Sequence, residues 1–329
     1  MLRSLKAQHD RFALSRPFRI ARGVKTFADV ITVTIAEGET AGRGEGVPYP
    51  RYGESIETSL AAIEGVREAV EAGAGREALQ ALLPAGAARN AVDCALWELE
   101  ALRTGVDVAS LAGVPGPAPL VSAITLGIDT PEAMAELASR HSEAPLLKVK
   151  VDSEDPGARI RAVRAAAPRA ALIVDPNESW DQRLLEDMQS VLLEAEVDLI
   201  EQPVPADSDS WLAGFAPSVP ICADEAVHTA ADLDRIVLRY QAVNVKLDKT
   251  GGLTAALELA KAARARGLIL MTGCMVSSSL SMAPAFHVAA LSDFADLDGP
   301  LWLREDRQGG VREEGGMLAP PVPGFWGSR

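Results

Sequence analysis

Eight short apolar runs, most of them separated by helix-forming stretches, predict an α/β chain folded as a (β/α)8-type TIM barrel. The runs cover residues 121–126, 146–151, 171–174, 197–200, 220–222, 242–245, 268–271 and 294–297. Polar residues stand at or just after their ends: Thr125, Lys150, Asp175, Glu201, Asp224, Lys246, Cys274 and Asp298, recurring every 22–28 residues. That period fits one strand plus one returning helix. An open doubly wound sheet fits less well. The first run leads into Thr125-Leu126-Gly127-Ile128, with neither a GxGxxG nor a GxxxxGK[ST] phosphate loop.

The first fifty residues read as strands and turns. Residues 30–35 (VITVTI) are β-branched, and Glu37-Gly38-Glu39 punctuates them. Residues 54–111 read as helices. Within residues 88–102, Val92, Ala95, Leu96, Leu99 and Leu102 share one helical face. Residues 113–119 (GVPGPAP) form a turn-rich break and the expected boundary before the barrel. In the barrel, Thr130-Pro131-Glu132 and Asp155-Pro156 set a capping side chain ahead of proline, a helix start. Residues 253–266 are strong helix formers.

Composition narrows the function. The chain has 329 residues and a net charge of −14. An acidic surface argues against nucleic acid or an anionic membrane as partner. A small anionic substrate stays compatible, because a local cluster of cations can sit inside an acidic chain. Cys94, Cys222 and Cys274 are too scattered for a disulfide framework or a zinc site. No apolar run approaches a membrane span, and the N-terminus lacks the apolar core of a secretion signal, so a cytoplasmic location is expected. A homo-oligomer is compatible with the composition.

Asp175, Glu201 and Asp224 end three successive runs. One such charge is either solvated at a turn or held in a polar pocket; three in succession favour the pocket. Three oxygen donors on separate rigid strands suit a hard dication, with Mg²⁺ the expected one. Lys148 and Lys150 lie two apart on one strand and therefore share a face. With Val149 and Val151 toward the helices, both lysines face inward. Lys246 ends the sixth run, across the barrel from the second. Two lysines facing each other over a metal site make a two-base arrangement. Such a base must be neutral, and burial or a nearby cation would lower its pKa. Asp296 and Asp298 either bind a substrate ammonium or cap the turn before Gly299-Pro300. His9, His141, His228 and His287 are scattered and read as structural. Residues 277–281 (SSSLS) read as a helix start, since no GxSxG elbow surrounds them.

Together, the KxK, the three carboxylates and the lysine of NVKLDKTGG resemble the enolase superfamily, and within it the muconate-lactonizing subgroup. The pairing of lysine bases with Mg²⁺ in that superfamily is a known example rather than a derivation from this chain. The DLDGP ending, with YPRYGES (residues 49–55), PAGAARNAVDCALWELE (residues 84–100) and ICADEAVHT, is similar to the dipeptide epimerases, and in particular to bacterial L-Ala-D/L-Glu epimerases. The resemblance implies a modified barrel under an α+β capping domain. Residues 1–115 would form the cap, 116–300 the barrel, and 301–329 a segment returning to the cap. It implies Mg²⁺ on Asp175, Glu201 and Asp224, with Lys150 and Lys246 as acid/base catalysts and Lys148 supporting the substrate carboxylate. Asp296 and Asp298 would bind the dipeptide amino group beside Thr125. Arg22, assisted by Lys25, would contact a glutamate side chain. The implied reaction interconverts L-Ala-D-Glu and L-Ala-L-Glu during reuse of murein peptides. Other reactions of the subgroup, o-succinylbenzoate synthesis, N-acylamino acid racemisation or cycloisomerisation, stay open as alternatives, as does a silent binding protein.

Overall fold

The computed structural model describes residues 3–327. Three antiparallel strands open the chain: β1 (Arg3–Ile20), β2 (Gly23–Glu37) and β3 (Thr40–Gly46). Five helices follow: α1 (Ile56–Gly65), α2 (Arg67–Glu71), α3 (Arg76–Leu82), α4 (Ala87–Thr104) and α5 (Val108–Ala112). Residues 113–119 then carry no helix or strand.

Helix α4 lies directly on β3. Gly42, Gly44 and Gly46 alternate on the strand, so they share one face. A Cβ on each would sit 2.1–2.2 Å from the main-chain oxygens of Ala95, Ala91 and Ala87. No side chain fits there, and the glycines allow strand and helix backbones to touch. The single apolar face expected for this helix is incomplete. Ala91, Val92, Ala95, Leu96 and Leu99 pack in the cap core, while Cys94, Trp97 and Ala101 pack in the barrel core. The helix is clamped between two layers, so both its sides are buried.

The eight-strand parallel barrel follows a short strand, β4 (Leu120–Val121). Its strands and helices run β5 (Ile124–Leu126), α6 (Pro131–Arg140), β6 (Leu146–Lys150), α7 (Pro156–Ala166), β7 (Ala171–Asp175), α8 (Gln182–Glu194), β8 (Leu199–Glu201), β9 (Ile221–Ala223), α9 (Leu233–Ile236), β10 (Ala242–Val245), α10 (Leu247–Thr250), α11 (Leu253–Ala265), β11 (Ile269–Gly273), α12 (Ser279–Ala289) and β12 (Phe294–Asp296). Neighbouring strands pair in sequence order from β5 to β12. The seam between β12 and β5 shows no strand ladder among the described residues. It is joined by the Ala123 N–H to the Ala295 carbonyl (2.8 Å) and the Leu297 N–H to Ser122 Oγ (2.9 Å).

Two units depart from strand plus α-helix. After β8 there is one 3-10 turn, Ser210–Gly214, because Pro203, Pro205 and Pro217 break the segment. After β12 a 3-10 turn, Gly299–Trp302, leads the chain away. The first predicted run is also split, since Leu120–Val121 pairs with the tail rather than the barrel. Thr130 and Asp155 cap α6 and α7 as their sequence implies, and Ser278 caps α12.

Inside the barrel, Leu146, Ile173, Leu199, Cys222, Ala242 and Met271 form an apolar plug. The polar layer rests on that plug. The tail ties several parts together. Leu303 bridges Leu14, and the Arg307 guanidinium reaches Asp10, Thr32, Glu45 and Ser278. Beyond it, β13 (Arg312–Glu314) and β14 (Met317–Ala319) add to β4. Among the described residues no helix is long and apolar enough to cross a membrane.

Candidate active site

The polar layer is built from strand ends. Lys148 and Lys150 alternate with Val149 and Val151, which pack outward into the helix-facing core. The lysines therefore turn inward and are buried. Lys148 Nζ lies 3.0 Å from Asp175 Oδ2, 2.7 Å from Glu201 Oε2 and 2.8 Å from Asp296 Oδ2. Lys150 donates to Asp175 Oδ2 and, at 3.0 Å, to Asn177 Oδ1. Lys246, just past β10, donates to Asp224 Oδ2 at 2.8 Å. In the strand order β6 and β10 stand four apart in a ring of eight, so Lys150 and Lys246 approach from opposite sides.

The charges set one another. Burial would raise Asp175, but Lys150 and Lys148 hold it below the usual carboxylate range. Asp224 is likewise held well below that range, because Lys246 and Lys249 outweigh burial. Glu201 goes the other way: burial and the Asp175 charge raise it above Lys148's opposing pull. The expected lowering of Lys246 is not what this arrangement gives. Burial does pull Lys246 down, yet Asp224 and Glu201 more than offset it and hold it above the ordinary lysine value. Lys148 is raised for the same reason by Asp296, Glu201 and Asp175.

The donor chemistry of Asp175, Glu201 and Asp224 fits a hard dication: all are oxygen donors and all are buried. Glu201 Oε2 is within ion-pair range of Lys148 yet accepts no hydrogen bond. The side chains are turned to the ammonium groups. Among the described residues no three acidic, histidine or cysteine side chains already surround one point.

Asp296 and Asp298 lie at the seam side of the mouth. The Thr125 N–H donates to Asp298 Oδ2 (2.8 Å), and Asp296 Oδ1 is buried without a partner. Burial and Asp296 push Asp298 up to about 6. The β1–β2 hairpin brings Arg22 over the mouth. There its Nη2 lies 2.6 Å from Glu225 Oε1, and its Nη1 donates to the Asn177 carbonyl (3.1 Å) and Glu178 Oε2 (3.3 Å). Lys25 stacks over Tyr49, 4.8 Å from the ring centre. The same cleft is bordered by Arg22, Lys25, Thr125, Lys148, Lys150, Asp224, Lys246, Asp296 and Asp298. The four histidines do not line it.

Sequence reasoning passed over Asn177, Gln202, Glu225 and Lys249. Gln202 Oε1 accepts from the N–H groups of Asp224 (2.9 Å) and Ala226 (3.0 Å), fixing that turn. Each lies within three residues of a strand-end residue already singled out: Asn177 after Asp175, Gln202 after Glu201, Glu225 after Asp224 and Lys249 after Lys246. The signal was proximity to a strand end, but their partners come from other strands.

The turn after β10 joins the site to the cap. Asp248 Oδ1 accepts from the Val47 N–H (2.8 Å) and Asn90 Nδ2 (2.8 Å). Arg89 of α4 donates to the carbonyls of Thr250 (2.5 Å) and Gly251 (3.1 Å). Gly251 and Gly252 have φ of +81° and +115°, and a Cβ on either would strike Arg89 or Asp93.

Residues 132–325 match the family described as Enolase C-terminal domain-like. Residues 3–113 match the Mandelate racemase / muconate lactonizing enzyme, N-terminal domain. The chain belongs to the enolase superfamily. The L-Ala-D/L-Glu epimerase of Escherichia coli (strain K12) is 46% identical over 307 residues, 93% of this chain and 96% of that protein. The N-acetyl-D-glutamate racemase of a Pseudoalteromonas species is 44% identical, covering 91% and 95%. An enolase family member from Agrobacterium tumefaciens, with homology to dipeptide epimerases, was solved with bound sodium and L-Ala-L-Glu. It superimposes with a TM-score of 0.96 at 49% identity, covering 99% of this chain and 100% of that one. A dipeptide epimerase from Methylococcus capsulatus, complexed with Mg and L-Arg-D-Lys, gives a TM-score of 0.89 at 32% identity, covering 98% of each. With epimerases and racemases as its relatives, this enolase superfamily member is an isomerase.

Proposed function

We propose that this superfamily member epimerises dipeptides at the α-carbon of the C-terminal residue, with L-Ala-D-Glu and L-Ala-L-Glu as its pair. The observation that carries the reading is the opposition of Lys150 and Lys246 across a buried carboxylate cluster. One lysine, in its neutral form, removes the α-hydrogen, and the other, starting as the ammonium, returns a proton to the opposite face, inverting the centre. A divalent cation on Asp175, Glu201 and Asp224 would stabilise negative charge on the substrate carboxylate and draw those side chains off the lysines. Lys148 supplies a second fixed positive charge beside that carboxylate. Asp296 Oδ1, buried and unpartnered, is an acceptor suited to the dipeptide ammonium. Arg22 and Lys25 offer cations to an acidic side chain at the cleft rim. The physiological setting we infer is cytoplasmic reuse of murein peptides.

The test is turnover in deuterated water with Mg²⁺. Deuterium should enter the glutamate α-carbon with inversion, and Lys150→Ala and Lys246→Ala should each abolish epimerisation. If no member of an Ala-X library exchanges its α-hydrogen, the reading is wrong. The likeness to an N-acetyl-D-glutamate racemase favours one second reading, racemisation of an N-acylated amino acid at the same lysines. A substrate without a free ammonium gains nothing from Asp296 and Asp298. Competition between free and N-acetylated dipeptide therefore separates the two.

A further inference from the structure

We propose that Lys249 is a positioning residue for Asp224, holding one carboxylate oxygen so that the other is presented to the barrel mouth. The inference rests on the metal-dependent reading above. Lys249 is 1% exposed and does not border the cleft. Its Nζ lies 2.7 Å from Asp224 Oδ1, 2.5 Å from the Asp224 carbonyl and 3.0 Å from the Asn244 carbonyl. Three acceptors use all three N–H bonds of an ammonium. A group so satisfied and so enclosed has no proton to exchange with a substrate. What remains is geometric and electrostatic. Because one ammonium holds both the side chain and the main chain of Asp224, the carboxylate cannot turn, and Oδ2 is left facing Lys246 at 2.8 Å.

The other two carboxylates are built the same way with neutral clamps. Asp175 Oδ1 accepts from the Asn177 N–H (2.9 Å), leaving Oδ2 to the lysines. Glu201 Oε1 accepts from Asn244 Nδ2 (2.9 Å), leaving Oε2 toward Lys148. Each carboxylate thus has one clamped and one presented oxygen. Of the three, Asp224 has its clamped oxygen hydrogen-bonded by a charged side chain, whereas Glu201 Oε1 has Lys246 Nζ no nearer than 3.8 Å. Lys249 therefore also offsets one of three closely packed negative charges, which would otherwise repel one another.

Calorimetric titration with Mg²⁺ tests the assignment on the full chain. Lys249→Met should raise the Kd for Mg²⁺ about 10–100-fold, the usual effect of losing a residue that orients a metal ligand. Its kcat at saturating Mg²⁺ should stay within a few-fold of wild type. Lys249→Gln, which keeps a neutral donor, should fall between. Lys261→Met removes the same charge from an exposed site on α11 and should bind Mg²⁺ as wild type does. Mg²⁺ affinity within twofold of wild type in either Lys249 variant, with a cooperative melt, overturns the assignment alone. If Lys249→Met does not fold, Lys249→Gln decides. A wild-type chain that binds no Mg²⁺ overturns the metal reading and this assignment with it.

Discussion

Asp298 is pushed up to about 6 by burial and by its neighbour Asp296. Below that pH it takes up a proton and loses its attraction for an ammonium group. The KM for a free dipeptide should therefore rise as pH falls through about 6. An N-acetylated substrate, tested over the same range, should not show that rise. At this scale the sequence was legible wherever a polar residue closes an apolar strand, as with Asp175, Glu201 and Lys150. An inward-facing charge at such a place stands out against its neighbours. Glu225, Asn177 and Lys249 did not stand out, because each lies beside a residue that already explained the motif. Their roles depend on Arg22, Lys150 and Asp224, whose distance in the fold no local pattern records. The direction of Lys246's shift likewise depends on residues from other strands, Asp224 and Glu201. The carboxylates meant for a metal act on the lysine directly in this arrangement.

Among the elements, the short helix α10 does the most with the fewest residues. It places Lys246 at the mouth, Lys249 beneath it and Asp248 against the cap. Burial pushes Asp248 up to about 7. Its ordinary value is 3.8, so between these values the folded state keeps a proton that the unfolded chain has lost. That contribution is intact below 3.8 and is lost as pH rises through about 7. Asp248→Asn keeps an Oδ1 to accept both hydrogen bonds and carries no charge. Its melting temperature should pull ahead of wild type between pH 4 and 7 and then hold a constant lead. Gly251→Ala should destabilise by about 1–3 kcal/mol in urea denaturation, since positive φ is strained for alanine and its Cβ would meet Arg89. In the tail, β13 and β14 lie in none of the predicted apolar runs, whereas the barrel strands were legible from them, apart from the split of the first run into β4 and β5. The missing helix after β8 was less so, because the surrounding period suggested a helix that the prolines forbid.

Across the whole molecule, Arg307 is the tail's main attachment. It pairs with Glu45, which is wholly buried, at 3.0 Å. Arg307→Met would leave that carboxylate without its cation, and should cost about 3 kcal/mol in urea denaturation. The mouth-facing cations also explain how a chain of net charge −14 can receive an anion. Arg22, Lys25, Lys148, Lys150 and Lys246 converge on one cleft beside Asp224, Glu225, Asp296 and Asp298, so the mouth is locally far less negative than the chain as a whole.

The barrel seam has one consequence for motion. Among the described residues the other neighbouring barrel strands join by ladders, but β12 meets the β5 side through one main-chain bond and two bonds to side chains. Local opening takes the route that breaks the fewest bonds. The cylinder should therefore breathe there first, and the amides of Ala123 and Thr125 should exchange hydrogen for deuterium sooner than those of β7. Because Asp296 and Asp298 flank that line, a dipeptide held by both would act as a stitch, and its arrival should slow exchange at the seam.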